Sequence, residues 1–348
     1  MKILIAASNM VHINNFHRPY IKAFEDEGHK VYIMARGEGA DFDIGFKKRS
    51  LSFSNLKLSF EIKRILKKEE FDVVYLHTSL AAFWVRMAMK GLKKRPYVVN
   101  TVHGYLFGDN SSKIHNAVYL ACEKILKKQT DDIVVMNSED YEIATKNKLC
   151  LKDVYFSKGM GVRFRSAQEM VEKPRRDKIS LAFVGEISKR KNQLLLVRAM
   201  KRLPEYTLTL VGDGDGRAEI EEYINKEGLS DRVFITGFTK NAYGYIAACD
   251  IYVSASNIEG LPFNIMEAMY SKKPIVASDI KGQRDLLSPS QLYPPGDEDA
   301  YVSLVRKTDV LPVEYDTERY SLDSILSENV EIYLKKQPTV AEKQPLVY

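Results

Sequence analysis

Two series of short, almost wholly apolar segments, each segment followed by a stretch with helical spacing, constrain this chain more than any other feature. In the first series the apolar segments are Lys2–Ala7, Lys30–Ala35, Asp72–Leu76, Tyr97–Val102, Asp132–Met136 and Val154–Phe156. Helical spacing is found between them at Asn15–Glu27, Leu58–Lys68, Ala81–Lys90, Ile114–Lys128 and Ser138–Lys148. Strands that run apolar without alternation suit a parallel sheet covered on both faces, and parallel strands need crossovers of helix length. A polar stretch, Arg165–Lys178, then interrupts the pattern and reads as a linker. The alternation resumes with strands at Ile179–Val184, Thr207–Val211, Val233–Thr236, Ile251–Ser254 and Pro274–Ala277. Its helices are expected at Gln193–Arg202, Arg217–Glu227, Ala242–Cys249, Pro262–Tyr270 and Gly282–Leu287. The chain is therefore expected to be α/β, with two doubly wound Rossmann-like domains at residues 1–165 and 166–320. Such domains bind ligands at the carboxyl ends of their strands, so a central cleft between the two is expected. A last helix is expected at 321–336 and a disordered tail at 337–348.

Charge is unevenly divided. Residues 1–165 carry 28 Lys+Arg against 18 Asp+Glu, whereas residues 166–348 carry 24 against 28. All six histidines (His12, His17, His29, His77, His103 and His115) lie in the first 115 residues. The basic half reads either as a solvated surface or as one that meets an anion: membrane headgroups, a phosphate-bearing acceptor or, last, nucleic acid. The basic stretches Lys63-Arg64…Lys67-Lys68 and Lys90…Lys93-Lys94-Arg95 are the candidates for membrane contact. Three cysteines (Cys122, Cys150, Cys249) with no CxxC spacing argue against a disulfide framework and against a zinc site, and fit a reducing cytoplasm. No apolar run approaches the roughly 18–20 residues of a membrane span. Met1–Ser8 lacks the long apolar core of a signal peptide and reads as a buried first strand.

The segment richest in chemistry is Ser254–Met269, which follows an apolar strand directly. Gly260 permits a tight turn, Pro262 suits the first position of a helix, and the amides and dipole of a helix start favour an anion. Glu259 lies in the turn and Glu267 over a turn further into the helix, so that two carboxylates can each accept several hydroxyl hydrogen bonds. The bland reading has Glu259 as a loop carboxylate and Glu267 as a surface one. Gly212-Asp213-Gly214-Asp215-Gly216-Arg217 has arginine where a dinucleotide fingerprint needs its third glycine, and no HExxH, GxSxG or P-loop spacing is present.

Glu259-Gly260-Leu261-Pro262-Phe263-Asn264-Ile265-Met266-Glu267 resembles the donor-binding motif of family 4 retaining glycosyltransferases of the GT-B fold. The likeness extends to Leu181–Ile187 with Lys191-Asn192, to Leu210–Gly214, to Val233–Phe238, to Val102-His103-Gly104 and to Gly161-Val162. It implies a metal-independent, retaining transferase of a hexose or N-acetylhexosamine from a nucleotide-sugar, UDP-linked, without a cofactor. It further implies that Glu267 holds the donor ribose, that Glu259 holds the transferred sugar and that Lys191 meets the diphosphate. Gly237 and Phe238 then lie near the base, while Gly185, Gly212, Gly260, Leu261, Pro262 and Phe263 shape the donor site. His103 joins Glu259 and Lys191 as a catalytic candidate, its bland reading being a capped strand-end histidine. His77 ends a strand and reads as structural or as a cleft-edge residue.

Three departures stand out. Glu186 occupies the place of the family's usual arginine, with Arg190 as the replacement cation; Asn192 replaces a glycine; and the glycine-rich first loop is absent. Ser8–Pro19 stands in its place and resembles the loop of bacterial capsular and exopolysaccharide transferases. Its His12, Asn14, Asn15 and His17 either line the acceptor side or cap the first helix. The expected acceptor is a growing glycan, free or polyprenyl-diphosphate-linked, at the cytoplasmic face of a membrane, with no nucleic acid. The rivals are a nucleotide-sugar epimerase of the same fold and a non-catalytic nucleotide-sugar-binding subunit.

Overall fold

The computed structural model describes residues 1–46, 53–164, 171–175 and 177–334. The tail expected at 337–348 and part of the 165–178 linker lie outside these residues. The chain forms two compact units, Met1–Gly161 with the segment from Leu322 onward, and Val162–Ser321.

The first unit holds β1 (Lys2–Asn9), β2 (Lys30–Arg36), β3 (Phe42–Asp43), β4 (Val73–His77), β5 (Tyr97–Val102), β6 (Asp132–Val135) and β7 (Val154–Phe156). They form one parallel sheet in the order β3-β2-β1-β4-β5-β6-β7. Every residue of β4 and β5 is buried, which is why those stretches carry no polar alternation. The strand β3 is two residues long and has no apolar run to announce it. A buried Arg86 is held bidentate by Glu123 at 2.8 and 3.0 Å.

The helix expected from Asn15 begins earlier. Helical Met10–His12 is followed by a π-helical stretch, Ile13–His17, and then by Arg18–Asp26. Asn9 caps this start by accepting the His12 N–H at 2.9 Å. Pro19 has no N–H to give to the carbonyl of Asn15, so the regular i to i−4 ladder cannot run through this turn. The last helix, Leu322–Leu334, is not a separate element but packs within the first unit. Asn329 Nδ2 donates to Tyr20 Oη at 2.9 Å, and the Tyr75 hydroxyl donates to the Tyr333 carbonyl at 2.8 Å.

The second unit holds β8 (Ile179–Val184), β9 (Tyr206–Val211), β10 (Val233–Gly237), β11 (Ile251–Ser254), β12 (Ile275–Ser278) and β13 (Leu292–Tyr293). Its parallel sheet runs in the order β10-β9-β8-β11-β12-β13. The helix expected at Gly282–Leu287 is a series of turns, because Gly282 has a φ of +76° and interrupts a helical backbone. The strand β13 and the helix Glu298–Lys307 were not expected. The helix nonetheless has its signals in the sequence: Asp297 caps the Ala300 N–H at 2.9 Å, acids open the first turn, and Arg306 and Lys307 close the last. Pro262 stands as the N-cap, in extended conformation, one residue before the helix Phe263–Tyr270.

Candidate functional site

In an open parallel sheet the ligand crevice forms where the strand order reverses, since neighbouring loops there leave in opposite directions. In the second sheet that point lies between β8 and β11. The loop after β8 contains Gly185, at φ +150°, and then Glu186 to Lys191. The Gly185 N–H donates to the Val211 carbonyl at 2.9 Å and Ile187 N–H to the Asp213 carbonyl at 3.0 Å. A Cβ on Gly212 would lie 2.0 Å from the Gly185 oxygen. The Gly212 N–H in turn donates to the Gly237 carbonyl at 3.0 Å. Gly185, Gly212 and Gly237 therefore converge at three adjacent strand ends.

The loop after β11 closes onto the loop after β8. Asn257 N–H donates to the Arg190 carbonyl at 2.8 Å and its Nδ2 to the Lys189 carbonyl at 3.1 Å. Arg190 Nη1 donates to the Ile258 carbonyl and to Glu259 Oε2, each at 3.2 Å. Lys191 Nζ donates to the other oxygen of Glu259, Oε1. Glu259 and Lys191 are each 9% exposed. A carboxylate in such a position is tolerable only when paired, and here two cations hold it.

Two departures in the sequence acquire a physical reading. Asn192 is in the left-handed region, at φ +52°, where asparagine is among the few residues that substitute for glycine. Glu186 is exposed and points no cation at the site, while Arg190 makes the second ion pair.

Several residues behind the site were not anticipated. Gln193, fully buried, donates to the Glu186 carbonyl at 2.7 Å and accepts from the Ser188 N–H at 3.2 Å. Gln283 Nε2 donates to Ser254 Oγ at 2.8 Å, and Ser278 Oγ donates to the Ser256 carbonyl at 2.6 Å. Gly282 sits so close that a Cβ would lie 2.0 Å from the Gly260 oxygen. Lys281 beside it is buried. The contact with the Gly260 turn and the φ of +76° both require a glycine at 282, and sequence spacing contains no trace of the contact.

The remaining expected donor residues divide. Leu261 and Phe263 pack on the core that contains Ile265 and Met266. Asn264 Nδ2 donates to the Val184 carbonyl at 2.7 Å, fixing the helix start to the end of β8. Glu267 is half-buried on that helix, and Phe238 is 82% exposed just beyond Gly237.

In the first sheet the order reverses between β1 and β4. His12 and His17 follow β1, His77 ends β4 and His103 follows β5. The four rings form one cluster: His77 Nδ1 is 3.1 Å from His103 Nε2, His17 lies over His77 with centroids 3.8 Å apart, and His12 meets His103 edge-on at 4.9 Å. Burial pushes the His12 pKa down to about 4. It holds His17, His77 and His103 well below the usual imidazole value, with neighbouring rings adding to the effect. Asn14 and Asn15 are exposed instead, and Asn14 accepts from Arg18 Nε at 2.9 Å. The loop's four polar residues thus separate into two that enter the cluster and two that do not.

The two basic stretches also differ. Lys63, Arg64, Lys67 and Lys68 line one helix surface beside Phe60, which is 69% exposed. Arg95 is committed to Asp131, at 2.8 Å through Nη2, and Lys94 pairs with Glu70 at 3.6 Å. No helix among the described residues is long and apolar enough to cross a membrane.

Residues 165–308 match the family described as glycosyl transferases group 1, and residues 2–138 match the glycosyl transferase 4-like family. EpsD of Bacillus subtilis, which carries a glycosyltransferase assignment, is 28% identical over 307 residues, covering 82% of this chain and 81% of its own. The UDP-Gal:alpha-D-GlcNAc-diphosphoundecaprenol alpha-1,3-galactosyltransferase of Escherichia coli is 27% identical over 281 residues, covering 73% of this chain and 71% of its own. Among solved structures, the sucrose-phosphate synthase of Thermosynechococcus elongatus superposes with a TM-score of 0.76 at 18% identity, covering 96% of this chain and 98% of its own. That likeness concerns the fold.

Proposed function

The chain belongs to the glycosyl transferases, group 1 through its second half and 4-like through its first, on a GT-B fold, and on that premise we propose that it moves a hexose or N-acetylhexosamine from a UDP-sugar, with retention, to a surface-polysaccharide acceptor carried on a polyprenyl diphosphate. The observation that supports this most is the ion-paired Glu259 at the β8/β11 switch point, held by Lys191 and Arg190. Departure of a nucleoside diphosphate leaves negative charge that must be met by fixed cations and amides. Lys191 and Arg190 bring such charge to Glu259, and a donor diphosphate would compete with Glu259 for both. In this reading the exchange frees the carboxylate to accept hydroxyls of the transferred sugar, so that one ion pair serves both halves of the donor without a divalent ion. Glu267 is assigned to the ribose, and Gly237 with Phe238 to the base. The galactosyltransferase named above, with its UDP-sugar donor and diphosphoundecaprenol acceptor, supports the choice of donor and acceptor class. The Phe60 surface with its four basic neighbours supports docking at an anionic membrane face.

The test begins with a thermal-shift screen of UDP-, GDP- and ADP-sugars, in which a ligand at about 100 times its Kd stabilises by about 2.7 kcal/mol. With the donor found, Glu259→Gln should lower turnover by about 100-fold or more while leaving UDP affinity equal or higher, because the internal competitor for the cations is gone. Product NMR should show the donor's own anomeric configuration. Turnover in Glu259→Gln within a few-fold of wild type, or an inverted product, would overturn the assignment, and an epimerised donor without transfer would point to the rival activity.

A further inference from the structure

We propose that His12, His17 and His103 form a binding site for one divalent transition-metal ion of the zinc class, with His77 orienting His103 from behind. One ring nitrogen from each of the three lies within 4.8 Å of the other two. Tetrahedral zinc, with Zn–N bonds of about 2.0–2.1 Å, spaces its ligands about 3.3 Å apart, so modest ring rotations close the site. The inference rests on the first unit alone and is independent of the donor assignment.

Three observations support it. Nε2 of His12 and Nε2 of His17 are buried with no hydrogen-bond partner among the described residues. A buried polar atom left without a partner is costly, and one ion would satisfy both. The π-helical stretch Ile13–His17 is what brings His12 and His17 together. Residues five apart on an α-helix of 3.6 residues per turn sit about 140° apart, whereas a wider turn returns them to one face, and such turns occur frequently at functional sites. Finally, the cluster stands at the β1/β4 switch point, where Thr78, directly after His77, holds a φ of +67°. A β-branched residue there is strained, and the Ser8 N–H and Oγ fix Thr78 Oγ1 at 3.0 and 2.6 Å.

The contact of His77 Nδ1 with His103 Nε2 supplies the outer shell. A ligating histidine usually passes its other N–H to a neighbouring acceptor, and His77 Nδ1 is that acceptor when His103 binds through its own Nδ1. His12 and His103 are only partly buried, which leaves an entry path on their side. Three neutral imidazoles leave the ion its full charge, so the fourth position favours water, hydroxide or an anion such as phosphate.

The experiment uses the full chain, stripped with EDTA and dialysed, and titrated with Co2+ and then Zn2+. The expected result is one equivalent per chain, with the visible absorption of four-coordinate cobalt, displaced by zinc, and a raised Tm. His77→Phe should weaken zinc about 10–100-fold, as loss of an outer-shell partner does, and His12→Ala and His17→Ala should abolish the stoichiometric site. Circular dichroism of each variant guards against misfolding, and His12→Gln, at the more exposed position, provides a second ligand deletion if His17→Ala is unfolded. Binding below about a tenth of an equivalent at about 10 µM free zinc, or binding unchanged in the folded His12 variants, would overturn the proposal.

Discussion

Gly282→Ala isolates one contact between the donor loop and the turn that supports it. The ideal Cβ would stand 2.0 Å from the Gly260 oxygen, 2.8 Å from its carbonyl carbon and 3.4 Å from Leu261 Cα. Real Cβ atoms essentially never approach within 3.0 Å of another heavy atom, so the backbone of Gly260 or of Gly282 must yield by about 1 Å. Gly260 directly follows Glu259, and that carboxylate is held by Lys191 and Arg190. A displacement of about 1 Å at a positioned group is worth on the order of 100-fold in rate. The substitution also places alanine at φ +76°, which costs about 1–2 kcal/mol by itself. Gly296→Ala is the control: φ is +80° there and nothing lies within 4 Å of the added Cβ. Both variants should lose about 2–8 °C in Tm, since about 1 kcal/mol moves a domain of this size by about 2–4 °C. Only Gly282→Ala should lose about 100-fold in kcat/KM, measured as nucleoside diphosphate release from the donor found by thermal shift. If Gly282→Ala turns over within about three-fold of Gly296→Ala at matched folded fraction, the Gly260 turn does not position Glu259 and the reasoning fails.

Lys191→Met should lower kcat by about 100–1000-fold and Arg190→Met by less, because Arg190 is 42% exposed and its pairing with Glu259 is the longer one; steady-state kinetics of the two variants decide the order. Asn192→Gly should leave stability within about 0.5 kcal/mol of wild type, while Asn192→Ala loses about 1 kcal/mol at φ +52°, as read by urea unfolding. Glu123→Ala should destabilise the first unit by about 3–5 kcal/mol, since it leaves the buried Arg86 without its bidentate partner, and a denaturation midpoint unchanged from wild type would contradict this.

Most strands were legible in the sequence because a parallel sheet covered on both faces demands uninterrupted apolar runs, as at Val73–His77 and Tyr97–Val102. The two-residue β3 and β13 were not, since neither is long enough to form a run. The helix expected at Gly282–Leu287 also failed, because a left-handed glycine breaks the ladder at its start. The π turn at Ile13–His17 was hidden for a related reason: a change of helical period depends on which carbonyls find partners, and composition does not record it.

For the site the division is similar. Sequence alone determined that Glu259 and Glu267 flank a glycine turn at the end of a buried strand, that Lys191 and Arg190 lie in the loop after another, and that the histidines crowd into the first third of the chain. Those are local facts, expressed in spacing and residue type. Tertiary structure alone decided which charges meet. Glu259 finds its two cations across 68 and 69 residues, because the β8–β11 adjacency places their loops side by side. Similarly, His12, His17, His77 and His103 become one cluster because β1, β4 and β5 are neighbours in the sheet. Strand order is set by how the buried faces pack over the whole domain, and pairwise contacts between distant loops follow from that order rather than from the residues that make them.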